Sequence, residues 1–271
     1  MIDDETIHRY HEDGAVVLRG LLDASTIERL RDAVQTVLSN LSAHGNEYAR
    51  PGEARFVQDM VMAQRPGAAG TAFRSQLHVS PLAEVAGRLM GARQVRVFYD
   101  QLFVKEPGSA APTPWHQDLP HRPLRGEQIC GLWCLLDPVD LDSGTVEYVR
   151  GSHRGGYWYR PQHFGGGSGY DGARGEPMPD IDATVAPADR LSWAMQPGDA
   201  IAFHGLVIHG AGRNRSAQRR RRAVSLRWMG EDAVFDDRPG TYAFNTAGQV
   251  PGTALQGELY PRVWPRTSGR P

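Results

Sequence analysis

The segment Thr113-Pro114-Trp115-His116-Gln117-Asp118 places an imidazole and a carboxylate two residues apart. On extended backbone, residues i and i+2 point to the same side, so His116 and Asp118 can reach one metal ion. A lone His-X-Asp also occurs in ordinary polar turns, and a second histidine source is needed. The segment from Gly198 to Gly212 supplies it, with His204 and His209 set in an otherwise apolar strand and turn. Buried imidazoles require polar partners or a metal. Two histidines and one carboxylate on one face of an octahedral ion leave the opposite face open, the arrangement of non-haem iron(II) oxygenases. Zinc is the rival metal, but the chain has neither His-Glu-X-X-His nor Cys-X-X-Cys. His204 and His209 are five residues apart, which on a strand puts them on opposite faces, so at most one faces the metal. Spacing alone leaves open which.

Those side chains must be held by a scaffold that the periodicity outlines. From Asp3 to about Ser42 the pattern is helical, with Ile27, Leu30, Val34 and Leu38 on one stripe, interrupted by the strand-like Ala15-Val16-Val17-Leu18. A short helix is expected from Pro81 to Met90, ended by Gly91. From Val95 onward short apolar runs alternate with Gly and Pro, predicting strands at Val95–Val104, Gln128–Leu136, Thr145–Val149, Ala200–Phe203 and Ala223–Trp228. A helical opening followed by many short strands predicts a mainly β fold with flanking helices, a barrel or jelly roll. We expect one domain over 1–271: a helical part to about 92, a β core over about 93–230, and a tail over 231–271. An insertion over about 160–190, rich in Gly, Pro and Asp and containing Gly165-Gly166-Gly167-Ser168-Gly169, reads either as a surface loop or as a lid.

Four stretches together resemble the phytanoyl-CoA dioxygenase-like family of Fe(II)/2-oxoglutarate oxygenases. They are His11-Glu12-Asp13-Gly14-Ala15-Val16-Val17-Leu18, Trp115-His116-Gln117-Asp118, the run Ser143-Gly144-Thr145-Val146-Glu147-Tyr148-Val149-Arg150-Gly151-Ser152-His153, and His209-Gly210-Ala211-Gly212-Arg213-Asn214-Arg215-Ser216. The resemblance implies a double-stranded β-helix (cupin-like jelly roll) and an iron held by His116, Asp118 and His209. It leaves His204 behind the ligands or facing substrate. It implies Fe(II), 2-oxoglutarate and O2 as the reaction's cofactor and co-substrates, with succinate and CO2 released and hydroxylation as the usual outcome. Related halogenases carry a small residue at the carboxylate position, so Asp118 argues against halogenation.

The far carboxylate of 2-oxoglutarate needs a buried cation, for which arginine is the best geometric match. Most of the run Arg219-Arg220-Arg221-Arg222 would serve equally well as a solvated patch. The family sets its anchor at the start of the strand after the distal histidine, and alternation with Ala223, Ser225 and Arg227 favours Arg221; simple counting from the histidine gives Arg220. The resemblance also implies that Gln101 and Trp133 line this pocket, with Ser143 and Ser216 as weaker candidates; Trp133 could equally be a core aromatic. Arg227 falls on the inward face, where it would bind substrate or close an ion pair. Trp158, within Tyr157-Trp158-Tyr159-Arg160, and His121, next to Arg122, are read as facing a small polar or glycosylated metabolite.

Composition sets the remaining bounds. The 271 residues are 40 % hydrophobic and 23 % charged, ordinary for a folded enzyme. A formal net charge of -1 gives no field that would gather nucleic acid or anionic membrane. No apolar stretch is long enough to span a bilayer. Cys130 and Cys134 would share a strand face about 13 Å apart, at about 3.3 Å per residue, out of disulfide reach. With an acidic opening, Met1-Ile2-Asp3-Asp4-Glu5, this reads as a reduced, cytoplasmic chain acting on a small molecule, its oligomeric state open. The same iron centre would also support cyclisation, desaturation or demethylation, and a cupin-like binding module without turnover is the rival outside enzymes.

Overall fold

The computed structural model describes residues 2–164, 169–242 and 246–265. Gly165-Gly166-Gly167-Ser168, within the insertion, lies outside the described residues.

Two antiparallel sheets face each other. In the larger, the strands run in the order Ala15–Leu18, Ala200–His204, Ile129–Leu135, Arg221–Met229, Val95–Lys105, Phe56–Met60, Asn46–Glu47, and Arg262–Trp264 adds to the end of Val95–Lys105. In the smaller the order is Thr113–His116, His209–Ala211, Val146–Val149, Arg190–Leu191. This is the double-stranded β-helix, with the expected strands present: Val95–Lys105, Ala200–His204 and Arg221–Met229 run one or two residues longer than expected at an end, while Ile129–Leu135 and Val146–Val149 are shorter by one or two.

Strand alternation sorts the larger sheet's side chains into two populations. Cys130, Leu132 and Cys134, with Val224, Leu226 and Trp228, face the helices Asp4–Asp13, Ala24–Ser39 and Leu82–Met90, and build the main core with Leu30, Val34 and Leu89. Both cysteines are free thiols. Trp133, Leu135, Ile201, Phe203 and Ala223 face the other way, toward the smaller sheet. Gly131 is required there: a Cβ at this position would lie 2.4 Å from the Phe203 ring, and that ring packs beside His209 at 5.2 Å between centroids.

The helices start where the sequence provides caps. The Asp3 carboxylate accepts the Thr6 N–H at 2.8 Å, and the Asp23 carboxylate accepts the Thr26 N–H at 2.7 Å. Gly14 ends the first helix at φ 80°, and a Cβ there would meet His153 Nδ1 at 2.5 Å, so turn geometry and close approach both demand glycine. The part before residue 92 is not purely helical: Asn46–Glu47 and Phe56–Met60 extend the larger sheet, and a further helix spans Gly67–Arg74. Within Phe56–Met60 all five residues are buried. Asp59 is accommodated by the Ser42 N–H at 2.9 Å and by Arg65, which hides the alternation that would have announced a strand.

Candidate active site

His116 and His209 are directly opposite each other in the smaller sheet. His116 ends its strand, and Asp118 follows it at the entry to the 3-10 turn Leu119–His121, off the extended backbone assumed from the sequence. The side chains converge all the same. Asp118 Oδ1 lies 3.6 Å from His116 Nε2 and 4.0 Å from His209 Nε2, and one ligand atom from each of the three residues falls within 4.8 Å of the others. Gln117, between them, points away and clamps two loops, donating to the Tyr157 and Leu206 carbonyls at 2.9 and 2.8 Å.

The hydrogen bonds behind the triad fix its chemistry. His116 Nδ1 lies 2.8 Å from the Pro114 carbonyl oxygen and His209 Nδ1 lies 3.0 Å from that of Val207. A carbonyl only accepts, so the proton sits on Nδ1 and each Nε2 lone pair is left for a metal. Burial, reinforced by neighbouring His116, pushes His209 down to about 3, so its imidazole is neutral. Burial alone would raise the Asp118 carboxyl, but Arg227 outweighs it with help from the two histidines and holds the group well below its usual range. Arg227 Nε and Nη2 reach Asp118 Oδ2 at 2.8 and 2.7 Å, leaving Oδ1 turned to the histidines. Three hard or borderline donors with preset lone pairs on one side of a void suit a six-coordinate ferrous ion.

The triad opens onto a cavity of about 380 Å³ that also contains Gln101, Trp133, Arg221 and Arg227. Arg221 is 1 % exposed, and among the described residues no hydrogen-bond acceptor meets its guanidinium, which lies 5.4 Å from the Trp133 ring. Burial pulls it down to about 10, while Asp137 acts in the opposite direction at a distance. A buried cation without a bound anion is the complement of a carboxylate.

Other expected site residues are placed elsewhere. Arg220 turns outward to Glu106 Oε2 at 2.8 Å, because only odd positions of its strand face in. Ser216 caps the turn before that strand, accepting the Arg219 N–H at 3.0 Å, and Ser143 closes a capping box with Asp140. His204 points to the helical side, its Nδ1 accepting the Leu206 N–H at 3.1 Å and its Nε2 facing the Glu127 carbonyl at 2.8 Å. Trp158 stacks under Arg238 at 4.6 Å and does not line the cavity. His121 does line it, with its Nε2 buried and without a hydrogen-bond partner among the described residues.

Several lining residues escaped the sequence reading. Tyr148 stacks on His209 at 5.5 Å. Phe164 and Tyr170, from the insertion, pack against His116 and His121 at 4.6 and 5.7 Å between ring centroids. Gln58 comes from the unforeseen strand, its Oε1 taking the Tyr48 hydroxyl at 2.6 Å and its buried Nε2 left without a partner among the described residues. Asn214 was quoted as part of a motif without a role; its amide donates to the Arg219, Glu106 and Lys105 carbonyls at 2.7, 3.1 and 3.3 Å, locking the turn between His209 and the arginine strand.

Comparison with known proteins agrees with this geometry. The pattern of the phytanoyl-CoA dioxygenase (PhyH) family matches residues 10–223. The chain belongs to the phytanoyl-CoA dioxygenase family. The human peroxisomal phytanoyl-CoA dioxygenase is 25 % identical over 265 residues, covering 90 % of this chain and 73 % of that one. Among solved structures, the non-haem α-ketoglutarate-dependent carbocyclase SnoK from nogalamycin biosynthesis superposes with a TM-score of 0.74 at 27 % identity, covering 97 % of this chain and 96 % of its own. The epimerase SnoN, solved with Fe3+, α-ketoglutarate and nogalamycin RO, shares the fold at a TM-score of 0.70 and 22 % identity, covering 96 % of this chain and 98 % of its own. As a member of this family the protein is a 2-oxoglutarate-dependent non-haem iron dioxygenase, with iron, 2-oxoglutarate and O2 as its cofactor and co-substrates. Among the described residues no helix is long and apolar enough to cross a membrane.

Proposed function

We propose that this dioxygenase hydroxylates an unactivated C–H bond of a small ring-bearing metabolite, a natural product or other secondary metabolite, at an iron held by His116, Asp118 and His209. The observation that carries the reading is the convergence of those three donor atoms within 4.8 Å beside an unpaired, buried Arg221 in one cavity. Bound iron and 2-oxoglutarate supply the oxygen activation. The chain's own residues bind and orient. His116 and His209 present Nε2, Asp118 presents Oδ1 while Arg227 holds Oδ2, and Arg221 receives the distal carboxylate between Trp133 and Gln101.

The remaining walls speak to the substrate. Tyr48, Phe103, Phe164, Tyr170 and Tyr242 offer ring faces, which favour a flat apolar body. The buried Gln58 Nε2 has no acceptor among the described residues, which favours one on the ligand. The volume is that of a small-molecule pocket. Phe164 and Tyr170 cover His116 and His121 from the insertion, which supports a lid that excludes water. Two free buried thiols are consistent with a cytoplasmic setting. Oxidative cyclisation is the second reading, favoured by the similarity to a carbocyclase.

The test is anaerobic titration of the metal-free protein with iron(II) and 2-oxoglutarate, followed by the visible metal-to-ligand charge-transfer band. A band that disappears in His116→Ala supports the assignment. Succinate release should then couple to hydroxylated aromatic compounds and not to acyl thioesters. No band with intact iron and co-substrate, or coupling to thioesters alone, overturns the reading.

A further inference from the structure

Lys105 is directly opposite Arg221 in the antiparallel ladder, and both side chains are buried, at 0 and 1 % exposure. Like charges facing each other across a ladder repel, and burial enlarges the cost. Among the described residues no carboxylate contacts either member of the pair, and Asp137 acts on Arg221 only at a distance. Lys105 Nζ donates to the Gly212 carbonyl at 2.6 Å, lies 3.5 Å from that of Ala211, and sits 4.6 Å above the Phe56 ring. The other charged groups on the surrounding elements are engaged elsewhere or exposed. Arg55 pairs with Glu47, Glu106 with Arg220, Arg222 with Asp137, and Arg213 is exposed. Arg221 is the one charged group set against it.

We propose that Lys105 is a second cation of the co-substrate's carboxylate site, adding its charge to that of Arg221 while its ammonium holds the turn that follows His209. The proposal rests on the reading of Arg221 as the carboxylate anchor. A buried dication without an anion is an unstable pair that a docked carboxylate stabilises, so the two charges discriminate for a dicarboxylic 2-oxo acid over a monocarboxylic one. Burial, with Arg221 adding to it, lowers Lys105 to about 6 in the protein alone. The arriving carboxylate restores its proton, so binding takes up a proton above that pH, and affinity falls with rising pH by up to roughly tenfold per unit. Lys105 acts through its field and through the Gly212 carbonyl, which makes it a positioning residue.

The experiment is anaerobic calorimetry of the iron-loaded protein with 2-oxoglutarate and with 2-oxopentanoate, which has the same chain length and no distal carboxylate. It is run at about pH 6.5 and about pH 8.5 in buffers of different ionisation heat, with Lys105→Met, Lys105→Arg and Arg221→Met alongside. Wild type is expected to take up a proton with 2-oxoglutarate only. Lys105→Met should bind 2-oxoglutarate about tenfold or more weakly at the lower pH, with no uptake and unchanged 2-oxopentanoate binding. Lys105→Arg, whose guanidinium stays charged, should show pH-independent affinity, and it carries the test should the methionine variant fail to fold. Wild-type affinity and proton uptake in a Lys105 variant overturn the proposal while leaving Arg221 in place. An unchanged preference between the two acids in Arg221→Met overturns the anchor itself.

Discussion

Replacing Arg227 with Met should expose how much of the metal site is pre-set by the protein alone. Arg227 meets Asp118 Oδ2 with two nitrogens, and the two side chains are only 4 and 11 % exposed. Breaking such a pair from one side costs about 3–5 kcal/mol, because the remaining charge is left buried. Asp118 can escape by protonating. From an ordinary value of about 3.9, holding a proton at about pH 7 costs roughly 4 kcal/mol, which caps the loss. In the wild type the folded-state value lies below the ordinary one, so the stability Asp118 contributes is complete above the ordinary value and is lost only as pH falls through the folded one. In the variant the order reverses: burial is no longer opposed by Arg227, the folded value rises, and the penalty fades as pH falls, by about 1.4 kcal/mol per unit. Urea unfolding of the metal-free protein should therefore show a deficit of about 4 kcal/mol near neutral pH and about 2 kcal/mol at about pH 5.5. With iron(II) bound the deficit should shrink, since the ion replaces the lost positive charge beside Oδ1. A deficit below about 1 kcal/mol, or one that does not change with pH, refutes the account of Arg227 as the group that keeps Asp118 ionised.

Arg221→Met should raise the KM for 2-oxoglutarate about 10- to 100-fold, the worth of a charged hydrogen-bond pair, whereas Arg220→Met, bonded to Glu106 at the surface, should change it less than about twofold. Steady-state kinetics with varied co-substrate decide between them. His204→Phe should cost about 1–3 kcal/mol in urea unfolding, from the Leu206 N–H it would leave stranded, with the KM for 2-oxoglutarate unchanged. Burial lowers His204 to about 4, so its neutral form is the folded one; the stability it confers is complete above about pH 6.5, is lost as pH falls toward about 4, and that slope should flatten in the variant.

The triad was legible because its two halves are local. His-X-Asp brings two donors together within one turn of chain, and the other histidine comes from an apolar segment that carries both His204 and His209, between which only the family resemblance chose. Parity decided the arginine, since Arg221, Ala223, Ser225 and Arg227 must share a face. The same parity, continued from Gln101 through Phe103, lands on Lys105, a signal present in the sequence and passed over. What failed was whatever had no period. Tyr157–Arg160 attracted attention by composition, but loops carry no sidedness, and Trp158 stacks on Arg238 while Phe164 and Tyr170 are the insertion's aromatics that line the cavity. The strand Phe56–Met60 was invisible because Asp59 is buried on one face and Gln58 on the other.

The two sheets divide the labour at the candidate site. The smaller sheet carries both histidines, paired in register, and contributes donors that need only be neutral. The larger sheet contributes charge. Arg221 and Arg227 lie six residues apart on one strand, roughly 20 Å of extended backbone, one proposed here as the anchor for a carboxylate of the ligand and the other already spent on the carboxylate of the protein. That separation is long enough to hold a metal and a chelating diacid end to end, with Trp133 and Gln101 beside the space between. Two cations on the same face of one strand would repel if both were left without anions. Asp118 settles one of them during folding, which leaves Arg221, with Lys105 opposite it in the ladder, without a carboxylate contact among the described residues.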